Sequence, residues 1–157
     1  MNKKEQTTLE LRKLFNKLSW LNKQKMEEAL KGYKPSEVHC IESIGKTVDP
    51  NVTKLADSLY MTRGAISKIT KKLLKKDLIA SYQKPENKKE IYFRLTEQGH
   101  RIFNIHETLH KEFRERDQVV FEDVTEKQFD DMLRFVEKYS EHLDEEMRKQ
   151  GIDIKSE

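Results

Sequence analysis

The chain has 157 residues, 35% of them hydrophobic and 38% charged, with a formal net charge of +3. That length suits one domain with a real core, and apolar residues recurring at helical spacing exclude a disordered chain. A single cysteine, Cys40, excludes an intrachain disulfide, and no run approaches the ~20 apolar residues of a membrane span, so a cytoplasmic protein is expected, neither exported nor membrane-bound.

Leu11, Leu14, Phe15, Leu18 and Leu21, with Trp20 on the flank, form one stripe and predict a first helix over 5–31. Gly32 stops it. Lys34-Pro35-Ser36-Glu37 reads as the start of a second, short helix, with a capping hydroxyl before Val38, Ile41 and Ile44 and with Gly45 as its end. Thr47-Val48 reads as a scrap of strand, and Asp49-Pro50-Asn51 as a turn.

Asn51 is placed to cap a third helix over 52–59 that buries Val52, Leu55, Ala56 and Leu59. Tyr60-Met61 is a turn. Thr62 is placed to accept a backbone N–H near Ala65 and so to cap a fourth helix with Ile66, Ile69, Leu73 and Leu74 inward. Ala56 and Gly64 are small where a tight helix pair would cross. Helix, short turn and capped helix is helix-turn-helix spacing. Ile79–Gln83 and Ile91–Leu95 alternate as strands, and 84–90 reads as a long, Lys-rich hairpin loop, a wing.

Thr96-Glu97-Gln98-Gly99 starts a fifth helix over 97–118, with Ile102, Phe103, His106, Leu109, His110 and Phe113 on its stripe. Thr125-Glu126-Lys127-Gln128 is a capping box. It opens a last helix over 126–149 that buries Phe129, Met132, Leu133, Val136, Tyr139, Leu143 and Met147. The tail GIDIKSE is expected to fray.

Charge is unevenly spread. Thr62 to Arg94 holds ten Lys/Arg against three acids, whereas Lys111 to Glu157 holds nine against fifteen. A basic middle between acidic ends fits a polyanion-binding face on a frame that repels polyanions.

Four stretches in this order, KPSEVHCIESI, VTKLADSL, MTRGAISKITKKLLKKDLI and PENKKEIYFRLTEQGHRI, resemble the MarR family of winged-helix transcriptional regulators over about residues 34–103. The resemblance implies a mainly α fold with a small β wing (α+β). Residues 1–33 and 97–157 would form a helical dimerisation region, and 34–96 the winged helix-turn-helix. It implies a homodimer on a palindromic double-stranded DNA operator, in most members a repressor released by a small molecule, an oxidant or a metal, and no enzyme. Thr62, Arg63, Gly64, Ala65, Ser67 and Lys68 would enter the major groove, with Arg63 able to fork onto a guanine. Lys71 and Lys72 would meet phosphates, as would Lys84, Lys88 and Lys89 of the wing. Two departures stand out. The family's wing usually carries an Asp-Arg pair where this chain has Asn87-Lys88, and Tyr60 occupies a turn position that is commonly small.

His106-Glu107-Thr108-Leu109-His110 is an H-E-x-x-H string, two imidazoles one helical turn apart with an acid between them. Alone it offers an alternative, a metal-dependent hydrolase, but no further element of such an enzyme accompanies it. The resemblance offers another reading. A zinc-sensing branch of the family sets one His on the second helix and two on the fifth. His39, His106 and His110 fall on those positions, and Glu27 or Glu28 would be the fourth ligand. No cofactor is required by the sequence; Zn²⁺ would be a regulatory ligand. The same imidazoles also fit half-buried side chains lining a ligand cleft, or a DNA-binding protein with no effector. Cys40 has no cationic neighbour to make it a redox thiolate. Tyr33, Trp20 and Phe15 fit core positions better than an aromatic-ligand pocket.

Overall fold

The computed structural model describes residues 1–151; the expectation of a frayed tail falls on 152–157 and lies outside the described residues. Among the described residues six helices and one hairpin follow in order: α1 (Lys3–Ala29), α2 (Pro35–Lys46), α3 (Val52–Leu59), α4 (Arg63–Lys75), β1 (Ile79–Lys84), β2 (Asn87–Leu95), α5 (Glu97–Asp117) and α6 (Glu126–Lys149), with a 3-10 turn at Gln118–Phe121. Among the described residues no helix is long and apolar enough to cross a membrane.

Local side chain-to-backbone bonds set most of the helix starts. Asn51 accepts the Lys54 N–H, Thr62 that of Ala65, Thr96 that of Gly99 and Thr125 that of Gln128. Each satisfies one of the donors a helix N-terminus leaves free. Gly32, at φ 96°, turns the chain after α1.

The core is built by α2, α3, α4, the hairpin and the first half of α5. Ile41, Leu55, Ile66, Leu73, Leu78 and Ile79 are its most enclosed large side chains. Cys40 joins them, fully buried, and burial pushes its thiol up to about 12. A thiol so enclosed stays protonated and packs as a small apolar group.

The structure corrects several expectations. No hydroxyl caps α2: Ser36 lies inside the helix, Lys34 is its N-cap, and the Lys34 N–H donates to Glu37; Gly45 also lies inside α2 rather than ending it. A Cβ there would sit 2.4 Å from the Phe103 ring, so the glycine permits close packing of α2 on α5. Thr47-Val48 forms a bend, not a strand. Leu74 is exposed, and Thr70 is buried in its place, its hydroxyl donating to Ile66 O. A Cβ on Gly64 would meet only the Thr62 hydroxyl, at 3.9 Å, and no crossing helix. The long hairpin loop is a tight turn at Pro85-Glu86, because β2 begins at Asn87, opposite Lys84. Ile91 points to solvent while Tyr92 and Phe93 are both buried.

The largest difference concerns the end helices. The whole apolar stripe of α1 is exposed, with Phe15 at 68% and Trp20 at 65%. The residues expected to be buried on α6 are exposed or only partly covered, with Leu133 at 65% and Val136 at 60%. Neither helix holds a buried residue. Both are amphipathic as expected, but among the described residues most of their apolar faces are left uncovered.

Candidate nucleic-acid interface and effector cleft

Helix α4 turns Ile66, Ile69, Thr70 and Leu73 into the core. That rotation leaves Gly64, Lys68, Lys71 and Lys72 exposed and Arg63, Ala65 and Ser67 half-buried, with Thr62 exposed at the cap. All the α4 residues expected to enter or flank a groove therefore lie off the core face. Tyr60 adopts the left-handed conformation, φ 53°, that links α3 to α4, and its hydroxyl stands 3.5 Å from Asp144 of α6.

The wing projects beside α4. Lys88 and Lys89 are exposed at its tip, and Asn87 Oδ1 accepts the backbone N–H of Lys89 and of Glu90 at 3.2 and 3.4 Å. Lys84 is different. Its Nζ donates to Asp49, which also accepts from the Tyr82 hydroxyl at 2.9 Å. The Lys84 bond, and after it the Tyr82 bond, hold the Asp49 carboxyl below the usual carboxylate range. Lys84 is thus tied to the body of the protein, unlike the two tip lysines. Asp49 and Tyr82 had no local signal in the sequence, because their partners lie more than 30 residues away.

Charges on the two halves are treated differently. On α6, four of the five basic groups sit in local ion pairs: Lys127 and Arg134 with Asp131, Arg148 with Glu145, and Lys149 with Glu146; on α1 only Lys13 with Glu10 and Lys23 with Glu27 do so among the described residues. Among the described residues no carboxylate pairs with Arg63, Lys68, Lys71, Lys72, Lys88 or Lys89. Clustered cations without counter-charges raise the local potential and attract polyanions.

A cavity of about 530 Å³ lies where α1, α2 and α5 meet. Met26, Leu30, Val38 and Phe113 give it apolar walls; Lys23, Glu27, Tyr33 and three imidazoles give it polar ones. His106 and His110 face each other with Nε2 atoms 3.1 Å apart. On the far side of the His106 ring, Nδ1 lies 2.7 Å from Glu42 Oε2, though without hydrogen-bond geometry. Burial holds this imidazole below its usual range, against the pull of Glu42. Donor atoms of Glu42, His106 and His110 all lie within 4.8 Å of one another.

The expected metal set is thus brought together in part. His106 and His110 converge, while the His39 ring centroid is 6.4 Å from that of His106, on the same cavity. Glu27 lines the cavity and Glu28 does not. Glu42 was missed, although its place one turn after His39 on one helix face could have found it. Glu107 is held by Lys46 at 3.0 Å, and that bond keeps its carboxyl below the usual range. Phe15 and Trp20 lie away from the cavity; Tyr33 lines it.

Residues 34–91 match the model of the MarR family. The HTH-type transcriptional regulator PchR of Bacillus subtilis (strain 168) is 42% identical over 76 residues, 48% of this chain and 45% of its own length. The chain spans about half the length of the curated relatives it matches first. Streptococcus pneumoniae FabT, solved in complex with DNA, superposes with a TM-score of 0.75 at 20% identity, covering 90% of this chain and 97% of that one. Staphylococcus aureus MarR, solved with salicylate and kanamycin, gives 0.67 at 18%, covering 92% and 97%. At such identities these are likenesses of fold. The curated relatives are named as HTH-type transcriptional regulators, and residues 34–91 of this chain are similar to the MarR family.

Proposed function

We propose that the protein is a homodimeric, sequence-specific DNA-binding regulator, a repressor whose affinity for a palindromic operator is set by a ligand in the α1–α2–α5 cavity. The observation that carries this reading is the contrast in charge. The last helix, α6, neutralises four of its five cations locally, while α4 and the wing tip leave theirs without a carboxylate at ion-pair distance among the described residues. Phosphates are the counter-charges such a face lacks. Thr62, Arg63, Gly64, Ala65, Ser67 and Lys68 contact base edges and nearby phosphates; Lys71, Lys72, Lys88 and Lys89 contact phosphates. Gly64 is exposed and carries no side chain, which suits close approach of a backbone. The domain division follows: 34–96 binds DNA, and 1–33 with 97–157 joins two copies through the bare apolar faces of α1 and α6. FabT's solved complex with DNA supports the partner, and the salicylate-bound S. aureus protein supports a small-molecule effector. A ligand acts by preferring one separation of the two α4 helices, and shifts DNA affinity by that preference and no more. Selection of bound duplexes from a randomised pool tests the reading: a two-fold symmetric consensus is expected, and no enrichment overturns it.

One observation favours a metal as that effector. In a tetrahedral site with Zn–N bonds of about 2.0–2.1 Å, ligand nitrogens stand roughly 3.3 Å apart. The Nε2 atoms of His106 and His110 are already at 3.1 Å. Glu42, against Nδ1 of His106, is the carboxylate that would orient this ring from behind. These two imidazoles would hold Zn²⁺, with His39 and Glu27 at the same cavity as further candidates. Such a ligand could strengthen rather than release DNA binding. Calorimetric titration of the metal-free chain checks this: uptake of Zn²⁺ that His110→Ala abolishes is expected, and no uptake contradicts it.

A further inference from the structure

We propose that Asp49, outside the helix-turn-helix itself, is a positioning residue for DNA recognition by the wing. The inference rests on the DNA-binding reading above and names the device that aims the hairpin.

A two-stranded hairpin is marginally stable alone, and its direction must be set by something else. Here the loop before α3 clasps both strands. Asp49 adopts the left-handed conformation, φ 48°, which Asp and Asn tolerate better than most residues. Its carboxylate takes two bonds from β1, from the Tyr82 hydroxyl and the Lys84 ammonium. Those two groups are themselves anchored to β2: Tyr82 stacks on Tyr92 with centroids 5.5 Å apart, and Lys84 Nζ lies 5.0 Å over the Tyr92 ring. Two further ties reach β2 directly. Asn51 Nδ2 donates to Glu90 at 3.1 Å, and the Phe93 N–H donates to Pro50 O at 2.9 Å.

Beyond these ties the hairpin tip is exposed from Pro85 to Lys89. Asn87 shapes the tip by accepting two backbone N–H groups of its own strand, but it reaches nothing in the body of the protein. The brace therefore sits at the base of the wing, with Asp49 as its hub and Lys84 as a strut. Lys88 and Lys89 are left as the free cations that the brace holds out.

The proposal makes a prediction opposite in sign to simple electrostatics. Asp49→Asn removes a negative charge and frees Lys84, so charge alone would tighten binding to a polyanion. A positioning role predicts weaker binding. The experiment is fluorescence anisotropy of the full chain with a duplex that the wild type selects from a randomised pool. Asp49→Asn combined with Tyr82→Phe keeps the backbone preference and the ring stacking while loosening the brace. It is expected to weaken binding about five- to tenfold, the size of couplings between contacting groups. Added to a Lys88→Ala/Lys89→Ala background, the same pair is expected to change affinity less than twofold, because the cations it aims are gone. A merely structural role would weaken both backgrounds equally, and that result overturns the proposal. So does unchanged or tighter binding by the Asp49 variant while the wild type binds. A wild type that enriches no duplex overturns the DNA reading and the positioning role together.

Discussion

Arg63 and Lys72 lie on one helix and are predicted to fail differently. A guanidinium can form a forked bond to a guanine edge, whereas an ammonium meets a phosphate as a point charge. Arg63→Ala is expected to weaken binding to the selected duplex by about 1–3 kcal/mol and to relax base preference at one position of each half-site. Lys72→Ala is expected to weaken selected and scrambled duplexes alike. Anisotropy with both duplexes separates the two, and equal losses on both for Arg63→Ala would contradict its role. Glu37 gives a residue-scale prediction about stability. Its buried carboxylate accepts from Lys76 Nζ at 2.7 Å and from the Lys34 N–H at 3.2 Å. Burial pushes its carboxyl up, but the Lys76 bond, the Lys34 N–H and the charges of Lys76 and Lys72 together hold it down. A folded value below the unfolded one means stability that is present above roughly pH 4.3 and lost as pH falls through the folded value. Glu37→Gln is therefore expected to destabilise the chain at neutral pH and to flatten its acid limb. Parallel loss at every pH in thermal melts would contradict this.

At the scale of elements, the starts of α3, α4, α5 and α6 were legible because each cap is a contact within three residues. Thr62 to Ala65 and Thr96 to Gly99 are written in adjacent sequence. Glycine is ambiguous for the opposite reason. Gly45 reads locally as a helix stop, but what it serves is the Phe103 ring, distant in sequence. Gly99 likewise seats the start of α5 on the chain before β1, where a Cβ would come within 2.0 Å of Leu78 O. The brace of the wing was hidden too, since Asp49 and Lys84 are 35 residues apart. Periodicity found the amphipathic faces of α1 and α6 but carries no information about which chain covers them. Met132, Leu133, Phe135 and Val136 stand exposed on α6, and apolar area of this kind usually marks an interface. Leu133→Glu with Val136→Glu is expected to give a monomer by sedimentation, with α2 to α5 still folded and operator binding lost. A dimer that persists would assign the contact elsewhere.

For the whole molecule, the order of the family-like stretches was enough to give the fold class, and with the basic middle of the chain it carries the proposal for the DNA-binding face. The cleft was legible in His106 and His110, which share a helix, and not in Glu42, which comes to them only when α2 packs on α5. The central proposal is that the unpaired cations of α4 and the wing tip meet phosphates, two copies at a time. The salt dependence of binding to the selected duplex measures that number most directly, since each neutralised phosphate adds about 0.9 to the slope of log affinity against log salt. A dimer using Lys71, Lys72, Lys88 and Lys89 is predicted to show a steep slope, about −6 or beyond, with Lys72→Ala and Lys88→Ala each making it shallower by about one per protomer. A shallow slope, or one that neither substitution changes, would contradict the assignment of this face to DNA.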